Sequence, residues 1–227
     1  PRMFYDYVDT GSWTEGTYRA NEDDFQKIKF RQRVAINMEN RTTRTQLVGQ
    51  DVAMPVALAP VGSTGMQCAD GEILAARAAG KFGVPFTLST MSICSIEDVA
   101  ANSPYPFWFQ LYVMRDRAFI ERLIERAKAA KCSALVLTLD LQILAQRHKD
   151  LKNGLSVPVK PTLASIANLL TKPHWCLGMA GTKRRQFGNI VGHVKGVDNM
   201  GSLSEWTSRQ FDPTLNWADV EWIKKCW

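Results

Sequence analysis

Residues 107–140, FWFQLYVMRDRAFIERLIERAKAAKCSALVLTLD, contain a complete folding unit. The segment opens on Phe107 to Val113, a run that is apolar except for the amide of Gln110 and the phenol of Tyr112. A helical pattern follows from Asp116, with Phe119, Leu123, Ile124 and Ala127 falling on one face. A second apolar run, Ala134 to Asp140, closes the unit. Strands this apolar offer no side to water, so they belong to a sheet covered on both faces. The order apolar strand, amphipathic helix, apolar strand is that of a parallel βαβ unit.

The same rhythm runs back toward the N-terminus. PVALAP (Pro55–Pro60) precedes a helical pattern over Gly71–Phe82, and PFTLST (Pro85–Thr90) precedes SIEDVAAN, where Ser95 suits an N-cap and Glu97 and Asp98 suit a first turn. Four strands and their helices recur about every 20 to 30 residues, which both a doubly wound sheet and a (β/α) barrel satisfy. In either fold, ligands bind at the carboxyl ends of the strands. Each predicted strand ends there in a small residue, hydroxyl, amide or carboxylate: Ala59 and Pro60, Ser89 and Thr90, Gln110 and Tyr112, Thr138 and Asp140. Any one of these is equally explained by a strand emerging into solvent. Agreement among four strands is what marks a candidate ligand rim.

At 227 residues, with 45% hydrophobic and 22% charged residues, the chain has the composition of one large α/β domain, residues 1–227. Five cysteines, an odd number with no C-x-x-C pair, suggest neither a disulfide framework nor a zinc site, and a reducing cytoplasm fits them. No signal-peptide pattern and no apolar run of about 18 residues is present, so any membrane contact is expected to be peripheral. The net charge of +6 is concentrated: residues 156–211 carry seven Lys and Arg against two Asp and Glu, while the rest of the chain carries 21 against 20. This is a basic insertion in a balanced domain, not the overall basicity of many nucleic-acid binders, and no nucleic-acid partner is expected. The insertion interleaves LASIANLL and HWCLGMAG with the basic run TKRRQFG. That composition suits the surface of an anionic membrane, or alternatively a loop that folds over the active site. His174 and His193 lie here without metal-ligand spacing, and no metal is expected.

Several stretches resemble the FMN-dependent α-hydroxy acid dehydrogenase and oxidase family, nearest to bacterial L-lactate dehydrogenases and their mandelate and glycolate relatives. They are PRMFYDYVDTGSWTEGTYRANEDDF at the start, PVALAPVGSTGM, GEILAARAAGKFGVPFTLST, FWFQLYVMRDR and LVLTLDLQILAQRHKDLKNGL. The resemblance implies an α/β fold of the (β/α)8 TIM-barrel type, with the chain supplying the N-terminal segment and about four of the eight β/α units. It implies FMN as cofactor, with Pro60, Val61 and Gly62 lining the flavin and Ser89, Gln110 and Thr138 hydrogen-bonding to it. A glutamine, with donors and an acceptor on one head, suits the alternating polar edge of a flavin ring. By the same resemblance Tyr7 and Tyr112 present hydroxyls to the substrate and Arg147 helps hold its carboxylate, for which a planar fork of donors is apt. Local sequence leaves other readings open: Tyr7 as a core aromatic of an N-terminal helix, and Arg147, beside His148, Lys149 and Asp150, as part of a solvated charged loop. His148 matches no catalytic position of the family and reads as a loop residue.

The activity implied is oxidation of an L-2-hydroxy acid, L-lactate foremost, to the 2-oxo acid with FMN as hydride acceptor. The family's His-Gly-Gly-Arg type motif, its fifth-strand lysine and its phosphate-binding last strands do not occur in this sequence. The chain is therefore expected to be the N-terminal portion of the enzyme, to hold no catalytic residue itself, and to be inactive alone. The alternative is a non-catalytic half-barrel that serves as a structural or interaction module. The final NWADVEWIKKCW offers Asn216 as a cap and Trp217, Val220 and Ile223 as an apolar face. Open sheet edges would favour self-association, so a homo-oligomer is expected. In membrane-bound relatives the corresponding insertion attaches the enzyme to the bilayer. That implies a cytoplasmic protein, peripheral on the inner face of the bacterial membrane, with a quinone as acceptor. Candidate pocket residues Met91 and Leu141 do not fix the substrate's size.

Overall fold

The structure is a computed structural model that describes all residues except 141–144, 156–161, 198–201, 203–205, 208 and 211. At its centre lies a parallel sheet of β3 (Thr87–Ser89), β4 (Trp108–Tyr112) and β5 (Ala134–Thr138), in that order. The register sets Ser89 opposite Gln110 and Tyr112 opposite Thr138. Residues in register on parallel strands share a face, and alternate residues along a strand take opposite faces. Ser89, Gln110, Tyr112 and Thr138 therefore lie on one side of the sheet, and Leu88, Phe109, Leu111, Leu135 and Leu137 on the other. The leucine face packs on α4 (Gly71–Phe82), α5 (Ile96–Asn102) and α6 (Arg117–Ala129), whose Ile73, Val99, Phe119, Leu123 and Ile124 join the same core. Leu88, Phe109 and Leu111 are fully buried there, each side chain contributing about 1.5–3 kcal/mol.

Local sequence explains the helix limits. α5 starts at a reciprocal capping box in which Ser95 accepts from the Asp98 N–H and Asp98 accepts from the Ser95 N–H. α6 begins with the Asp116 carboxylate accepting from the Phe119 N–H and ends with Arg126 and Lys128 against its dipole. α4 ends at Gly83, whose φ of 88° is a left-handed cap that suits glycine.

The stretch Pro55–Pro60, expected as a fourth strand, is reduced to a single parallel bridge between Leu58 and Phe86. Leu58 donates to the Pro85 carbonyl at 2.8 Å and accepts from the Thr87 N–H at 3.1 Å. Proline at both ends of the stretch removes the donors that would lengthen the ladder. An antiparallel hairpin, β1 (Thr45–Leu47) and β2 (Gln50–Val52), was not evident in the sequence. Its turn takes positive φ at both Val48 (50°) and Gly49 (74°), the sense that matches strand twist. Hydrogen bonds from Ala53 N–H to the Gly83 carbonyl (2.8 Å) and from Ser133 Oγ to Gln50 Oε1 (3.5 Å) place it across the amino ends of the strands. The opposite, carboxyl rim stays free of it.

In the last helix, Trp217–Cys226, Asn216 caps as expected, Asp219 completes a capping box with it, and Ile223 is buried. Trp217 is 81% exposed, so the expected apolar face is rotated. Arg117 is the reason: its guanidinium meets Asp219 Oδ1 at 2.8 Å and lies 5.2 Å from the centre of the Trp222 ring, turning those residues inward. The basic segment divides in two. Its first part forms α8 (Leu163–Leu170) and α9 (Pro173–Gly181). Its second returns to the core, where Phe187, Ile190 and Val197 are buried and Arg184 bridges Asp70 and Asp98.

Candidate functional site

Gln110 answers for its place in an apolar strand by holding the rim together. Only 1% of the residue is exposed. Its Oε1 accepts from Ser89 Oγ (3.1 Å) and the Thr90 N–H (3.2 Å), and its backbone carbonyl accepts from Thr90 Oγ1 (2.6 Å). Among the described residues its Nε2 has no partner. A buried amide donor left without an acceptor costs about 1–3 kcal/mol, so this atom marks a position where a ligand acceptor belongs.

A cleft opens on this face, lined by Tyr7, Pro60, Gly62, Ser89, Met91, Tyr112, Val113, Met114, Thr207 and Gln210. Tyr7 reaches it from α1 (Arg2–Val8). Arg147 holds that tyrosine: its guanidinium carbon lies 4.6 Å from the centre of the Tyr7 ring and its Nη2 donates to the Tyr7 carbonyl. Burial raises the Tyr7 phenol above its ordinary value, an effect that the Arg147 charge opposes. Tyr112 is pushed up to about 12 by burial, with the charges of Asp140 and Tyr7 adding to it. Both phenols thus keep their protons at neutral pH and act as hydrogen-bond donors. A β-carbon on Gly62 would meet the Tyr7 hydroxyl at 3.3 Å and the Met91 carbonyl at 3.5 Å, so glycine keeps this gap open.

The structure therefore brings Tyr7, Pro60, Gly62, Ser89, Gln110 and Tyr112 to one place. Thr138 stands opposite Tyr112 at the end of β5, on the same face. Val61 is 43% exposed, while its carbonyl accepts from Thr64 Oγ1 at 3.1 Å. Arg147 does not line the cleft: it stands behind Tyr7, its Nε 2.9 Å from Asp150 Oδ2. His148 opens α7 (His148–Asn153) and packs edge-on against Trp13. Met91 faces the cleft, and Leu141 lies outside the described residues. Among the described residues no group of three or more His, Cys, Asp or Glu could hold a metal.

Two buried polar residues behind the rim were missed in the sequence. Glu72, 1% exposed, accepts at Oε1 from the Gly65 and Ile93 N–H groups, both at 2.9 Å, tying the loop after Pro60 to the loop after β3. Asn189, fully buried, donates to the Ser89 and Thr90 carbonyls and to Ser92 Oγ, and accepts from the Ile96 N–H at 2.9 Å. Glu72 resembles a routine acidic residue of a helix first turn, and Asn189 acts on residues about a hundred positions away. Thr207 and Gln210, which border Tyr112 in the cleft, come from the same distant segment.

Polar strand ends gathered over one cleft, with an unsatisfied amide donor beneath, mark a ligand-binding protein of the parallel α/β class. The chain belongs to the FMN-dependent dehydrogenase family, whose model matches residues 1–227. It is 42% identical to an L-lactate dehydrogenase of Stenotrophomonas maltophilia (strain R551-3), over all of this chain and 60% of that protein. It is 43% identical to an L-lactate dehydrogenase of Xanthomonas campestris pv. campestris (strain B100), over all of this chain and 59% of that protein. The crystal structure of the monotopic membrane protein (S)-mandelate dehydrogenase matches with a TM-score of 0.91 and 30% identity, over all of this chain and 60% of that one. A soluble mutant of the membrane-associated (S)-mandelate dehydrogenase from Pseudomonas putida matches at 0.75 and 30%, over all of this chain and 58% of that one. The chain thus spans about 60% of the length of the relatives it matches, and its fold is part of a (β/α)8 barrel.

The residues fit the family's cofactor. Gln110 Nε2 offers an unpaired donor to a flavin acceptor, the Ser89 hydroxyl sits beside it, and Gly62 leaves room against the backbone of the first loop.

Proposed function

We propose that this chain is the flavin-cradling portion of an enzyme that oxidises an L-2-hydroxy acid, L-lactate foremost, to the 2-oxo acid. Pro60, Val61 and Gly62 would lie along the flavin, and Ser89, Gln110 and Thr138 would hydrogen-bond to it. FMN, when bound, supplies the hydride acceptor. The chain's own residues bind and orient: the protonated phenols of Tyr7 and Tyr112 donate to substrate oxygens, and Arg147 fixes Tyr7 from behind while adding positive charge toward a carboxylate. The observation that carries this reading is the orphaned Gln110 donor among aligned strand ends in a chain of this family.

The His-Gly-Gly-Arg motif is absent from the sequence, so the chain by itself is proposed to bind flavin without turning over lactate. The test is anaerobic addition of L-lactate to the whole flavoprotein. Bleaching of the flavin absorption by L-lactate supports the assignment, whereas an unchanged spectrum contradicts it.

We also propose that the basic insertion 156–211, through α8 and α9, attaches the protein peripherally to the inner face of the bacterial membrane, with a quinone as electron acceptor. No helix among the described residues is long and apolar enough to cross a membrane. On α8, Leu163, Ile166, Ala167 and Leu170 form an outward apolar stripe, which exposed Leu177 of α9 extends. The higher TM-score against the monotopic membrane protein than against the soluble mutant supports the same reading. β5 pairs on one side only among the described residues, which supports self-association of the chain by itself along its other edge.

A further inference from the structure

We infer that the cleft between α1, α7 and α8 is a binding site for the phosphate headgroup of an anionic phospholipid. This rests on the membrane attachment proposed above and assigns it a specific ligand site. The cleft is a cavity of about 350 Å³ bordered by Arg2 and Asp6 of α1, Lys149 and Lys152 of α7, and the start of α8. Its size is that of a small-molecule site.

Charge decides what it would take. The single carboxylate, Asp6, is already engaged by Asn153 Nδ2 at 2.7 Å and by Arg2 Nε at 3.5 Å. Lys149 and Lys152 lie three residues apart on α7, both exposed, and among the described residues neither makes an ion pair. Two ammonium groups with no anion, facing one cavity, are a site for an anion. The surroundings identify that anion as part of a lipid. α8 turns Ala164, Ser165 and Asn168 to the cleft, and on its adjoining face carries Leu163 (86% exposed), Ile166 and Leu170 (81% exposed). A protein seated on a bilayer by that stripe would hold the lysine pair at the depth of the phosphates, and soluble phosphate would gain nothing from the leucines.

Vesicle flotation with the full chain tests this, using neutral phosphatidylcholine vesicles and vesicles mixed with phosphatidylglycerol. The double variant K149Q/K152Q is expected to bind mixed vesicles about thirtyfold more weakly, near the level of wild type on neutral vesicles. K224Q/K225Q, an equal charge change on the last helix, is expected to bind as wild type. L163N/L170N is expected to lose both vesicle types. Unchanged binding of K149Q/K152Q to mixed vesicles, or an equal loss in K224Q/K225Q, would overturn the headgroup site while leaving the apolar attachment standing. Wild type that floats with neither vesicle would overturn both readings. Release from mixed vesicles by added inorganic phosphate would overturn the lipid assignment in favour of a soluble anion.

Discussion

Replacing Gln110 with methionine keeps the side chain's length and bulk and removes both of its polar ends. In the flavin-free chain two effects oppose one another. Loss of Oε1 strands the buried Ser89 hydroxyl at about 1–3 kcal/mol, while the Thr90 N–H keeps the Gln110 backbone carbonyl at 3.1 Å. Loss of Nε2 removes one donor that is already unsatisfied, regaining about 1–3 kcal/mol. The two effects largely cancel, so the net change in the flavin-free chain should be small, about 1 kcal/mol or less. In the flavin complex the balance differs, because Nε2 is then paired. The variant should lose a further 0.5–1.5 kcal/mol or so, roughly a two- to thirteenfold weaker FMN affinity. Urea unfolding with and without FMN separates the two quantities, since wild type at a hundred times its Kd gains about 2.7 kcal/mol from the ligand. A variant that binds FMN as tightly as wild type would show that Nε2 does not face the ligand, and would refute the reasoning.

Glu72→Ala orphans two buried N–H groups and should cost about 2–6 kcal/mol in denaturant unfolding; a loss below about 1 kcal/mol would mean that the two loops are held some other way. Gly62→Val fills the gap between Tyr7 and Met91, so FMN affinity, followed by quenching of flavin fluorescence, should fall at least about tenfold with the circular dichroism unchanged. Arg126 bonds hold the Glu97 carboxyl down at about 2, below its unfolded value of about 4.3. The stability this pair contributes is thus present above about pH 4.3 and lost as pH falls toward 2, and Glu97→Gln should flatten that part of the stability–pH curve. The effect should be small, because the Glu97 side chain is more than half exposed. Sedimentation of the chain by itself should show self-association that increases with concentration, and a monomer throughout the micromolar range would count against pairing at the β5 edge.

The parts of the fold written in local periodicity were legible in the sequence. α4 spans the expected residues, Ser95 and Asn216 cap as their spacing suggested, and β3, β4 and β5 fall inside the predicted apolar runs. Pro55–Pro60 failed as a strand because periodicity counts apolar side chains and not the backbone donors that proline removes. The β1–β2 hairpin escaped notice because Val48, a residue that disfavours positive φ, occupies its turn. Individual site residues were legible through family resemblance, but their connections were not. Nothing local says that Arg147 supports Tyr7 from behind the cleft, or that Asn189 fastens the carbonyls of Ser89 and Thr90 from a hundred residues away. Such contacts are fixed by tertiary packing, which leaves no periodic trace.

The central claim is that the carboxyl ends of these strands form a flavin seat with Gln110 as its unpaired donor. Crystals of the chain soaked with FMN test it most directly. The account predicts the flavin ring over Gly62, with a ring acceptor within about 3.0 Å of Gln110 Nε2. Flavin bound elsewhere, or a ring that leaves Nε2 unpaired, would contradict it.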